Sequence, residues 1–211
     1  LEGGTLNLQN GGKLAGQFTV ASGTTLNLVN GTFTEQGLPL FGGSGSSQLT
    51  GGTLVLTSDT ITNLVLAGGT VLPGASFQGG SITNLTLSGA ILGGTNVVTG
   101  TLDWEGGGIA GALPVAQGGT LSLGGAGGKS LQGVLTNLGT VVWGGTGILG
   151  LLDDGVSYSG SVYNEPGGLF DIQSDRVLEN SYRTPVFHNL GTLRKSAGSG
   201  STWINTPLAN S

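Results

Sequence analysis

The chain has 211 residues, a formal net charge of −5 and 45 glycines, with 8% charged and 36% hydrophobic residues. So little charge beside that apolar share excludes disorder, glycines without a strict three-residue period exclude collagen, and the lack of cysteine excludes disulfides and thiolate metal sites. No basic patch tracks a phosphate backbone and no apolar run approaches ~18 residues, so neither nucleic acid binding nor membrane insertion is expected.

Taken in chain order, the elements are short and alternating. Leu6/Leu8, Leu26/Leu28, Leu54/Leu56, Leu85/Leu87, Leu121/Leu123 and Phe170/Ile172 each skip one residue, the period of a strand. Gly-Thr-Leu or Gly-Thr-Val starts recur at Gly4, Gly52, Gly69, Gly100, Gly119, Gly139 and Gly191. The segment Ile61-Thr62-Asn63-Leu64-Val65-Leu66 returns 21 positions later as Ile82-Thr83-Asn84-Leu85-Thr86-Leu87. Glycine pairs punctuate the strands and supply the positive φ of sharp corners, while no stretch sustains a helical period. Leu1-Glu2-Gly3-Gly4 has neither initiator methionine nor signal-peptide features, and the chain starts and stops in mid-repeat, as a piece of a longer protein would.

Strands of three to five residues are unstable alone, but stacking successive turns at ~4.8 Å pairs each with copies above and below. The expected fold is therefore all-β, a right-handed parallel β-helix (β-solenoid) with rungs of about 20–25 residues and essentially no helix. A Greek-key sandwich is the rival, and the 21-residue copy favours the solenoid. One solenoid should span 1–211. Residues 1–150 should form Gly/Thr-rich regular rungs, and 151–211, which hold ten of the charges and half of the aromatics, rungs with longer loops.

Near the C-terminus, Asn137, Asn164 and Asn189 each open a similar unit, and Asn210 begins another. The run from Val186 to Ile204, with Asn189-Leu190-Gly191-Thr192-Leu193-Arg194-Lys195-Ser196 at its centre, resembles the Gly/Thr/Asn-rich repeats of large bacterial surface, adhesin-like proteins. It departs from them at His188, which stands where the repeat has an asparagine, and at Trp203 in the closing Ser-Thr-Trp-Ile. The resemblance covers roughly residues 151–211 and implies an extracellular or cell-surface stalk.

Several residues carry candidate chemistry. Asp103 and Glu105 flank Trp104; with Trp104 inward, the carboxylates share an outer face as a glycosidase-like pair or calcium clamp, and with Trp104 outward the indole becomes a sugar platform. Solubilising charges are the plainer reading. Aligning Phe170-Asp171-Ile172 with Leu193-Arg194-Lys195 sets Asp171 against Arg194 as a surface ion pair worth ~0–1 kcal/mol. With Lys195, Arg176 and Arg183 this patch is a candidate for an acidic sugar. Asp153-Asp154 reads as a turn, and His188, the only histidine, has no partner for catalysis. Outward Thr5/Asn7, Thr25/Asn27 and Thr120/Ser122 suit an ice-binding array, which Val55 interrupts. Asn63 with Asn84, and Asn137 with Asn164 and Asn189, should hydrogen-bond in stacks.

The expected function is a structural stalk segment joined end to end to neighbouring repeats or subunits, with polysaccharide as a further partner. No catalytic residue, metal or cofactor is expected. The alternatives are a carbohydrate-binding module marked by Trp104, Trp143 and Trp203 in a row, a polysaccharide lyase or hydrolase, an ice-binding solenoid, and a filament subunit.

Overall fold

The structure, a computed structural model, describes all residues from 1 to 211. The chain winds as a parallel β-solenoid of three faces, and the paired strands run parallel throughout. The second face is an unbroken ten-stranded sheet from Gly12–Leu14 to Trp203–Ile204. The first face begins with a four-stranded sheet from Thr5–Leu8 to Leu64–Leu66, then resumes from Ile82–Leu87 to Thr192–Lys195. The third face has Gln17–Thr19 and Leu40–Gly42, lapses for three rungs, and resumes through Leu113–Val115, Val134–Asn137, Ser161–Asn164, Phe187–Asn189 and Leu208–Asn210.

Alternation fixes which side chains enter the core. On the first face the file Leu85, Leu102, Leu121, Val141, Phe170 and Leu193 stacks in register. On the second, Phe33, Leu54, Val71, Leu92, Ile109, Leu131 and Leu151 do the same. All 38 buried hydrophobic side chains form one continuous cluster, in which each buried Leu, Val, Ile or Phe contributes roughly 1.5–3 kcal/mol. That continuity lets rungs of little intrinsic stability hold together. Rung length varies along the chain: Leu85 pairs with Leu102, 17 residues on and shorter than expected, whereas Thr140 pairs with Leu169, 29 residues on, in the region of longer turns. The corners absorb the difference and the strands keep their register.

Where the third face lapses, loops 57–63 and 74–81 stand in for strands, and the second contains the one short helical turn, Phe77–Gly80. Ile61 and Phe77 plug the core from these loops. Gln78 ties them together, accepting from the Thr83 and Asn84 amides and donating to Asp59. A crevice of about 140 Å³ remains between Leu54, Leu56, Ile61, Leu64, Leu66 and Leu85. This interruption separates Asn63 from Asn84, so they do not stack as expected: Asn63 donates instead to the Phe41 carbonyl.

The C-terminal asparagines do stack. The inward file of the third face runs Val98, Val115, Asn137, Asn164, Asn189 and Asn210. Each amide donates to the next, from Asn137 to Asn164 at 2.8 Å, Asn164 to Asn189 at 2.7 Å and Asn189 to Asn210 at 2.6 Å. Asn137 and Asn164 also donate to the Leu169 and Thr192 carbonyls, so the ladder satisfies backbone acceptors at a buried corner.

Candidate functional site

Trp104 ends the strand Val98–Trp104 and points inward, fully buried. The indole is therefore core and cannot serve as a ligand platform. Trp143 is buried in the same way one rung beyond Leu123, leaving only Trp203 exposed, so the row of exposed tryptophans that would mark a carbohydrate-binding module does not form. Asp103 lies half-buried on the outer file between Thr86 and Ser122. Glu105 is exposed at the following corner and accepts from the Ser88 hydroxyl at 3.2 Å. No three acidic or histidine side chains gather closely enough to hold a metal ion.

Asp171 and Arg194 are register partners, as the alignment of their strands requires. The Arg194 guanidinium grips the carboxylate with two bonds of 3.0 Å, and Gln173 donates a third at 2.9 Å. Asp171 is only 3% exposed, so this pair is more covered than a surface ion pair, although Arg194 itself remains half in solvent. The guanidinium, ahead of the Ser196 and Gln173 side chains and against the effect of burial, holds the Asp171 carboxyl well below the usual carboxylate range.

Lys195 is committed elsewhere. Its ammonium donates to Asp175 at 2.6 Å, to the Ser174 carbonyl at 2.9 Å and to Thr202 at 3.1 Å, while Asp175 also accepts from the Gly200 amide. This binds loop 173–176 to loop 196–202. The predicted basic patch is thus divided, with Arg194 and Lys195 each occupied by a carboxylate and Arg176 and Arg183 free of ion pairs.

His188 stacks on Tyr163 on the outer third face, with centroids 4.5 Å apart and planes within 10°. Asn7, Asn27 and Gln48 form an outward amide ladder at the other end of the rod, with bonds of 2.8 and 2.9 Å. The interruption of that file is Val65, opposite Gln48. Val55 lies on the second face, paired with Thr34, because the chain turns a corner between Leu49 and Thr53.

Two charged side chains that alternation alone would place inward are in the core. Glu35 is 2% exposed and accepts from the amides and hydroxyls of Thr57 and Ser58. Lys129 is equally buried and donates to the Glu105 and Gly127 carbonyls. Asp154 accepts three amides, from Val156, Ser157 and Tyr158, which makes the expected Asp153-Asp154 turn a rigid one. No helix is long and apolar enough to cross a membrane. No family model, curated protein or solved structure matches the chain.

Proposed function

We propose that the chain is a load-bearing stalk segment of an extracellular or cell-surface bacterial adhesin-like protein. The observation that carries this reading is the single hydrophobic interior, continuous from the first rungs to the last. Force applied along the axis meets every rung through parallel backbone pairing and a dry core, which suits a spacer. The resemblance of the C-terminal repeats to those of bacterial surface proteins supports the setting.

Stacking with neighbouring repeats or subunits extends the same logic. Leu6 at one end is 45% exposed and Leu208 at the other 47%, although their files are buried in the interior rungs. A further rung on each would complete the burial and pair the terminal strand edges. Tethering the chain by its two ends in a force spectrometer tests the reading. A stalk gives a rigid extension followed by cooperative unfolding at high force; unravelling at forces that merely stretch a random coil would refute it.

A further inference from the structure

Among the rungs that carry a strand on all three faces, the largest change in length falls where the chain leaves the second face for the third near residue 155. From Leu131 to Leu135 that corner takes four residues; from Leu151 to Val162, their register partners one rung on, it takes eleven. The following rung is also enlarged, with nine residues from Leu178 to Phe187 where Leu149 to Val162 takes thirteen and Lys129 to Leu135 only six. Insertions of this kind on a repeat scaffold collect on the face that meets a partner.

Both enlarged corners present a tyrosine. Tyr158 and Tyr182 lie ring against ring, centroids 6.2 Å apart and planes within 22°, and Tyr182 is 74% exposed. The third tyrosine of the chain, Tyr163, stands outward on the same rung as Tyr158.

The loop that carries them is preorganised. Asp154 holds three successive amides at 2.7–2.9 Å, and Asp153 accepts the Gly155 amide at 2.9 Å. The Arg183 amide donates to the Asp153 carbonyl at 2.7 Å, and its guanidinium lies over Gly155, where a Cβ would collide with it. Tyr182 adopts φ +75°, a conformation that costs a bulky residue about 1–3 kcal/mol and that glycine adopts freely. Strain retained at an exposed aromatic residue, beside a guanidinium without an ion-pair partner, marks a built surface rather than a slack loop.

We propose that Tyr158, Tyr182 and Arg183 form a binding surface for a neutral glycan chain. The exposed Tyr182 ring, backed by Tyr158 on the preceding rung, offers an apolar face for the C–H side of a pyranose, and Arg183 donates to ring hydroxyls. Asp153 and Asp154 on the same loop repel acidic polysaccharide and nucleic acid.

The test is affinity electrophoresis of the whole chain through gels containing mannan, xyloglucan, mixed-linkage β-glucan or, as the acidic arm, polygalacturonate. Retardation by at least one neutral glycan is expected, weakened about tenfold or more in Tyr158→Ala and in Tyr182→Gly. Tyr182→Gly removes the ring and releases the left-handed strain, which offsets part of the entropy that glycine adds to the unfolded chain, so a melting temperature measured beside the binding separates lost contact from lost fold. Retardation by no neutral glycan, by polygalacturonate alone, or unchanged in both variants would overturn the proposal.

Discussion

Asp171 and Arg194 stand opposite each other on adjacent rungs, two bonds of 3.0 Å joining them, with the carboxylate covered and the guanidinium half in solvent. Removing the cation would leave a covered carboxylate with only the Ser196 and Gln173 side chains beside it. Arg194→Ala should therefore lower stability at pH 7. The pH dependence follows from the direction of the shift. Asp171 titrates lower when folded than its unfolded value of ~3.9, so its contribution is complete above ~4 and is lost as the pH falls through the folded value. Urea unfolding at pH 7, 4 and 2.5 should show the gap between parent and variant narrowing below pH 4. A constant gap would place the loss in the packing of the arginine stem instead.

The asparagine file makes a sharper demand. Asn164 donates to Asn189 and to the Thr192 carbonyl and accepts from Asn137, all at a buried corner. Asn164→Ala leaves those partners unsatisfied, and about 2–5 kcal/mol should be lost. Asn164→Asp keeps the acceptor but cannot donate, and puts a charge in the core. It should unfold more readily than the alanine variant at pH 7 and recover as the pH is lowered and the carboxyl protonates. Chemical denaturation of the two variants at pH 7 and 4 measures both effects.

Glycines should fall into graded classes. A Cβ at Gly133 would strike the Gly111 carbonyl on the preceding rung, and one at Gly111 would strike that of Gly94, so this corner column has no room for a side chain. Gly133→Ala should cost about 1–3 kcal/mol or more through overpacking of backbone on backbone. Gly167 has φ +88° and open space around it, so Gly167→Ala should cost only the left-handed penalty of about 1–2 kcal/mol. Gly3, with neither constraint, should accept alanine without measurable loss. Melting temperatures of the three variants should fall in that order.

Much of this architecture is legible in the residues. Leu26/Leu28 and Leu121/Leu123 announce inward pairs, and the likeness of Phe170-Asp171-Ile172 to Leu193-Arg194-Lys195 is enough to set Asp171 against Arg194. The coverage of Asp171 is not legible, because it depends on Arg194 and Gln173 folding over the carboxylate. Trp104 is ambiguous in sequence, since its strand has acidic residues on both sides and the inward phase is fixed only by pairing with Leu87. Asn63 and Asn84 mislead because two loops break the third face between them. The Tyr158–Tyr182 pair left one signal, the extra spacing between Asn137 and Asn164, which shows an insertion but not what it displays.

Lys129 is where alternation and residue chemistry conflict, and alternation wins. It occupies an inward file with Gly107, Leu149 and Leu178, its ammonium bonded only to the Glu105 and Gly127 carbonyls. Burial pushes its pKa down, and the nearby Glu105 charge only partly opposes this. Below the folded pKa the lysine is charged in both states and the cost of burying it is fully present. As the pH rises through the folded pKa towards the unfolded value of ~10.4, the native state releases its proton first and that cost is recovered. Lys129→Met keeps the length of the side chain and removes the titration. Denaturation midpoints of parent and variant at pH 7, 8.5 and 10 should therefore shift steadily in favour of the parent as the pH rises. Parallel midpoints would show that the ammonium reaches solvent in the native state, and the buried placement of Lys129 would then be wrong.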